Sequence, residues 1–217
     1  MKKLSKEDVL TAYRCSALLQ AAIRVFGESG FERATMEEIA READVAKGTI
    51  YLYYASKQNI YDAALSSGFA ELDEQTRTRL DEAGTLREAI SAFITTRTVF
   101  FLEHPDFFRL YVGAIAGQIT NPKARPSDFH AMIERQTRRL THAVERAVAR
   151  REIRRVDPAA TATAIFDLTR GLVARRLTGH ADPDVAEDAA FVADLIWRGL
   201  GTEEGKRAQR TGDKGKR

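Results

Sequence analysis

The chain has 217 residues, of which 44% are hydrophobic, so it can build the core of one large domain or of two smaller ones. Its single cysteine excludes an internal disulfide, and no apolar run reaches the roughly 18 residues that a membrane helix needs. The net charge of +3 equals the excess of six basic over three acidic residues within 201–217, so bulk charge does not indicate a nucleic-acid partner for the rest of the chain. These features predict a soluble cytoplasmic protein.

Apolar residues recur every three or four positions along most of the chain, which is the period of helices packed on one side. Strand signals are few, so the expected fold class is all-α. The pattern predicts about nine helices, over residues 6–29, 36–43, 47–53, 57–82, 86–103, 106–118, 128–152, 158–178 and 183–200.

Several predicted helix ends carry specific signals. Thr35 and Thr85 each stand three residues before a glutamate, as in a capping box, where hydroxyl and carboxylate satisfy each other's backbone amides. Asp157 and Asp182 each precede a proline, a combination that favours a helix start. Gly30 follows the first apolar run and is expected to end that helix.

Residues 35–54 have the pattern of a helix-turn-helix, with a capped short helix, a tight link and a second short helix from Lys47 to Tyr53. Ile39 and Ile50 can pack together inside this unit, and the small Ala40 lets the two helix axes approach closely. The second helix would then lie in the major groove of DNA.

The side chains expected on the outside of this unit suit DNA. Lysine supplies positive charge, threonine and tyrosine supply hydroxyl groups for phosphates and base edges, and glycine permits close backbone approach. The predicted DNA contacts are Thr35, Lys47, Gly48, Thr49, Tyr51, Tyr53 and Lys57. A three-helix packing unit without DNA binding is the alternative.

The chain from about Leu18 to Leu65 resembles the N-terminal domain of the TetR/AcrR family of transcriptional regulators. The segments that carry the resemblance are 29–31, 34–40, 45–54 and 56–57. It implies a DNA-binding domain of three helices over residues 1–56, followed by a larger helical ligand-binding and dimerisation domain over 57–200. It also implies a homodimer on a palindromic operator of double-stranded DNA.

Three residues depart from the family pattern within this segment. Asp44 replaces the usual turn glycine, at a position that often needs a left-handed backbone, which aspartate tolerates better than most residues. Ala46 replaces a common serine and removes one helix cap. Tyr54 stands where phenylalanine is common and is tolerated if its hydroxyl reaches water.

A cluster of aromatic residues between 93 and 111 predicts a small-molecule site with a few polar groups. The candidate lining residues are Phe93, Arg97, Phe100, Phe101, His104, Phe108, Tyr111 and Phe166. The alternative is that these rings are ordinary core between helices.

The last two predicted helices carry small and apolar residues on one side, which favours a four-helix interface between two copies of the chain. The candidate interface residues are Ile165, Leu172, Val192, Ile196 and Trp197. A hairpin buried within one chain is the alternative. Residues 201–217 are predicted to be a disordered basic tail.

No catalytic triad, phosphate-binding glycine loop or metal-ligand spacing is present, so the sequence predicts neither an enzyme nor a metal or cofactor. The expected function is a repressor that binds its operator as a dimer and is released by a small apolar or aromatic effector. An activator, or a helix-turn-helix protein without an effector, remains open.

Overall fold

A computed structural model describes residues 5–120, 129–179 and 184–202. Within these ranges the only extended pairing is an isolated antiparallel bridge between Ile153 and Gly201, so the all-α class is confirmed. The nine helices of the described chain are α1 (Lys6–Arg33), α2 (Met36–Glu42), α3 (Lys47–Tyr53), α4 (Lys57–Asp81), α5 (Leu86–Glu103), α6 (Pro105–Thr120), α7 (Phe129–Ala149), α8 (Pro158–Leu177) and α9 (Val185–Leu200).

The helices pack into two compact units. The first contains the described residues up to Glu71 and from His104 to Met132, and the second contains Leu72–Glu103 and the described residues from Ile133 onward. Helix α4 therefore contributes residues to both units, and α6 belongs to the first. The packing shows no boundary between residues 56 and 57, where the predicted DNA-binding domain ends. That residues 1–56 and 57–200 have different functions stays a prediction.

In the first unit, α1 packs against both α2 and α6, and α2 packs against α3. The ring of Tyr61 on α4 lies edge-on to Phe26, with 5.0 Å between centroids, and 4.7 Å from the centroid of Phe31. Burial raises the pKa of Tyr61 to about 12. A Cβ placed on Gly27 would lie 2.7 Å from the carbonyl oxygen of Asp106, so α1 and α6 approach each other through their backbones.

The predicted helix-start signals at three positions are confirmed. Thr35 and Glu38 form both bonds of a capping box, as do Thr85 and Glu88. The Asp157 carboxylate accepts a hydrogen bond from the amide of Ala160 at 2.8 Å, directly before Pro158 begins α8. A further capping box, between Ser5 and Asp8, starts α1 and was missed by the sequence analysis.

Most helix boundaries lie within two residues of the prediction, and three of those that differ have a local cause. Gly30 breaks the helical backbone with φ of +75°, as expected, but the chain turns helical again as far as Arg33. Helix α7 ends at Ala149 rather than near 152, because Arg151 adopts a left-handed φ of +59°. The N-cap of α9 is Asp184, while Asp182 lies outside the described residues.

The bridge that follows α9 orders the first two residues of the predicted tail. The Thr202 amide donates to the carbonyl oxygen of Glu152 at 3.1 Å, and the Arg154 amide donates to Leu200 at 2.9 Å. Gly201 and Thr202 are therefore paired with the segment after α7. The rest of the tail, residues 203–217, lies outside the described residues.

Two special features are absent from the described part of the chain. No helix there combines the length and apolarity needed to cross a membrane. No three His, Cys, Asp or Glu residues there lie close enough together to hold a metal ion.

We predict that Gly27→Ala lowers the free energy of unfolding by about 1–3 kcal/mol, because a methyl group at that position meets the α6 backbone. Gly113 is exposed on α6, and outside its chain neighbours and the α6 backbone no described residue lies within 4 Å of the added carbon. Gly113→Ala should therefore raise the free energy of unfolding by up to about 1 kcal/mol through helix propensity. Urea unfolding of both variants measures the two effects, and equal changes would contradict the close approach at Gly27.

Candidate nucleic-acid interface

The turn between α2 and α3 is a Schellman motif, in which two amides close the end of α2. The Val45 amide donates to the carbonyl oxygen of Ala40 at 2.9 Å, and the Asp44 amide donates to Arg41 at 3.1 Å. Asp44 occupies the left-handed position of the motif with φ of +53°, as the sequence analysis expected for the residue that replaces glycine. This turn fixes the direction in which α3 leaves α2.

Helix α3 has seven residues, too few to be stable by itself, and tertiary packing must hold it. Ile50 supplies that packing, since its side chain is fully buried, and Ala40 on α2 is buried as well. Ala46 precedes the helix without a side-chain cap, as expected from the loss of serine. Tyr54 ends it, and burial, aided by a hydrogen bond with Cys15, raises the pKa of its hydroxyl.

The structure brings the predicted DNA contacts together in the first unit. Lys47, Gly48 and Tyr51 are exposed on α3, whereas Thr49 and Tyr53 on the same helix are half-buried. The remaining two stand at neighbouring helix starts, Thr35 as the N-cap of α2 and Lys57 as the first residue of α4. Contact of each with DNA stays a prediction.

The Lys47 ammonium forms an ion pair with the Glu37 carboxylate at the start of α2. The hydrogen bond between them raises the pKa of Lys47 and lowers that of Glu37, so both groups are charged at neutral pH. Both side chains are more than half exposed. A phosphate that binds Lys47 must therefore compete with Glu37, a pairing that the sequence pattern does not predict.

Thr35 and Lys57 already have structural partners. The Thr35 hydroxyl accepts from the Glu38 amide at 3.2 Å, as part of the capping box. The Lys57 ammonium donates to the carbonyl oxygens of Glu32 and Ala34, both at 3.1 Å, and so ties the start of α4 to the end of α1.

A buried cluster in the second unit contains some of the predicted ligand-site residues. The guanidinium carbon of Arg97 lies 4.6 Å from the ring centroid of Phe166, 5.2 Å from that of Phe93 and 5.5 Å from that of Phe101. A guanidinium nitrogen of Arg97 also donates to the side-chain oxygen of Gln136 at 2.8 Å. Arg97 and the three rings are all buried.

The other predicted ligand-site residues are divided between the units. Phe100 lies in the second unit, edge-on to Phe101. His104, Phe108 and Tyr111 belong to the first unit, where the rings of Phe108 and Tyr111 lie 6.3 Å apart. Whether these residues line a ligand site stays a prediction.

The predicted interface residues on α8 and α9 face inward to different degrees. Ile165, Leu172 and Trp197 are buried within the chain itself, and Val192 and Ile196 are half-buried. The large apolar residues that these two helices expose are Leu168, Phe191 and Leu195, which the sequence analysis did not select. Phe191 and Leu195 lie on the side of α9 opposite the buried Ala189, Ala193 and Trp197, and the apolar period of the sequence does not show which of these sides faces the chain itself.

Residues 18–64 match the family model described as "Bacterial regulatory proteins, tetR family". A curated relative, the HTH-type transcriptional regulator BetI of Rhizobium meliloti (strain 1021), is 36% identical over 94 residues. That match covers 43% of this chain and 44% of BetI, so the chain spans less than half the length of this relative.

The fold is shared over most of the chain with solved structures. A TetR family transcription regulator from Marinobacter aquaeolei VT8 superposes with a TM-score of 0.76 at 21% identity, covering 89% of this chain and 98% of that one. The transcriptional regulator FadR from Bacillus subtilis, solved in complex with stearoyl-CoA, gives 0.71 at 20% identity, covering 83% and 96%. The matched segment includes α2 and α3, so this chain carries the helix-turn-helix segment of the tetR family of bacterial regulatory proteins.

Proposed function

We propose that this protein is a transcriptional repressor that binds a palindromic operator as a homodimer and is released by a small apolar or aromatic effector. One observation carries the proposal. The buried Ile50 and the Schellman turn hold α3 so that Lys47, Gly48 and Tyr51 are exposed together. A short helix that exposes charge, a phenol and a bare glycine fits the major groove.

The homodimer is supported by the exposed apolar side chains of the last two helices. Leu168 on α8 is 50% exposed, and Phe191 and Leu195 on α9 are 69% and 58% exposed. Large apolar side chains gathered on one helix pair typically mark a protein interface. Two copies would also supply two α3 helices for two half-sites, about one DNA turn apart.

Release by an effector requires that the effector bind better to the conformation that does not hold DNA. Helix α4 offers a direct connection, because it runs from Lys57, beside the helix-turn-helix, into the second unit at Leu72. A change in the position of its second half would be transmitted along the helix to Lys57, which is hydrogen-bonded to the carbonyl oxygens of Glu32 and Ala34.

The nature of the effector is supported by the ring cluster around Arg97, since apolar and aromatic walls with one charged group are typical of small-molecule sites. The FadR protein of similar fold was solved in complex with stearoyl-CoA, which supports an effector with an apolar chain. A second candidate function, repression without an effector, is favoured by the close packing of Arg97 against Phe93 and Phe166.

Selection of bound duplexes from a random DNA pool tests the proposed function. We expect enrichment of a sequence with two inverted half-sites, and sedimentation should give twice the mass of one chain. Enrichment of no sequence, with no binding to any duplex at low salt, would contradict the proposal.

The interface on α9 is tested in the same assay with Leu195→Glu, which places a charge on the exposed apolar face. This variant should sediment as a monomer and lose preference for paired over single half-sites. Glu71→Gln, an exposed substitution on α4, is the control. A Leu195→Glu variant that remains a dimer would exclude this face as the interface.

The ion pair between Lys47 and Glu37 predicts opposite effects of its two members on DNA affinity. Glu37→Gln releases the ammonium and removes a negative charge beside the phosphates, so affinity should rise by roughly twofold to fivefold. Lys47→Ala should weaken binding to all sequences and reduce the slope of log affinity against log salt by about one for each subunit. Binding isotherms at several salt concentrations measure both.

Glu71→Gln again supplies the matched control, because it removes the same charge about 21 Å further along α4 than Lys57, beyond the reach of screened electrostatics. If Glu37→Gln and Glu71→Gln change affinity equally, Glu37 does not compete with DNA for Lys47.

A thermal-shift screen of fatty acyl and aromatic compounds separates the two candidate functions. A compound at a hundred times its dissociation constant stabilises the protein by about 2.7 kcal/mol, which is a readily measured shift. We expect a compound that both raises the melting temperature and weakens operator binding. If stabilising compounds leave operator binding unchanged, or none is found, repression without an effector is supported instead.

A further inference from the structure

Ile50 is the one buried residue of α3, so the outermost face of this helix is the side opposite Ile50. Successive residues of a helix are rotated by about 100°, so Gly48 and Leu52 both lie on the side opposite Ile50. Ile50 is fully buried and Leu52 is 82% exposed, in agreement with that geometry. Thr49 and Tyr51 flank this face, and Thr49 is half-buried.

The side chain of Leu52 is suited to an apolar contact with a base edge and not to a contact with phosphate. Its side chain has no hydrogen-bond donor, so it cannot bind the phosphate groups that form the walls of the groove. The apolar group that the base edges present in the major groove is the C5-methyl group of thymine. A side chain on the outermost face of a helix in the groove points toward these edges.

Gly48 makes the approach of Leu52 to the bases possible. It lies one turn before Leu52 on the same face and has no side chain. Apart from its chain neighbours and the backbone of α3 itself, none of the described residues lies within 4 Å of where a Cβ would stand. The backbone of α3 can therefore come close to DNA at Gly48, which brings Leu52 within contact distance of a base edge.

We propose that Leu52 is a specificity-determining residue that packs against the methyl group of a thymine in each half-site. This inference rests on the proposed function, since it requires α3 to lie in the major groove. A protein partner is disfavoured as the occupant, because Leu52 is accompanied on this face by glycine. A single side chain of this size matches one methyl group, whereas protein interfaces bury about 800 Å² on each partner.

The test uses the sequence selected by the full-length protein, with deoxyuridine replacing thymidine at one position at a time. Uracil pairs as thymine does but lacks the C5-methyl group, so only the apolar contact is removed. We expect the wild-type protein to lose affinity by about fourfold for each contacted methyl group. Leu52→Ala should bind the thymidine operator more weakly than the wild type does, and should not distinguish it from the deoxyuridine operator.

Val112→Ala on α6, also an exposed apolar substitution in the first unit, is the matched control and should keep the wild-type response to uracil. The inference is overturned if no uracil substitution weakens the wild type, or if Leu52→Ala responds to uracil as strongly as the wild type does. It is equally overturned if Leu52→Ala changes the sedimenting mass while DNA affinity is unchanged, which would identify a protein contact. A wild-type protein that binds no duplex at all would refute the proposed function itself.

Discussion

The structure depends on one constraint. Helix α3 has only seven residues, so packing on its inner side must hold it in place while its other side stays exposed. Ile50 provides the buried contact, and the Schellman turn at Asp44 sets the angle of exit from α2. Without both, α3 would have too few internal hydrogen bonds to persist. Every exposed side chain of α3 takes its direction from this arrangement, so the chemistry offered to DNA follows from core packing.

Two of the predicted DNA contacts around α3 also stabilise the fold. Thr35 caps α2, and Lys57 ties the start of α4 to the end of α1, so neither side chain is kept only for DNA. Lys47 has an acidic neighbour, which limits the net charge of this surface, and in the proposed complex DNA phosphate would replace Glu37 as its partner. Such a surface favours discrimination over indiscriminate attraction to phosphate.

The fold was largely predictable because its signals are local. Capping boxes, the break at Gly30 and the left-handed residue at Asp44 all follow from short stretches of sequence, and the structure contains them. The pairing of Glu37 with Lys47 was not predictable in this way, because it joins residues of two different helices. The exposed Leu195 was missed for another reason, since the apolar period alone does not show which side of α9 faces its own chain.

The bridge between Ile153 and Gly201 anchors the far end of α9 through main-chain atoms. Its hydrogen bonds, from Arg154 to Leu200 and from Thr202 to Glu152, do not depend on side-chain identity. Amino-acid replacements on the outer surface of α9 can therefore accumulate while the helix keeps its orientation. With the proposed dimer interface on α9, duplicated copies of this protein could in this way acquire subunits that pair only with their own kind, with no change of architecture.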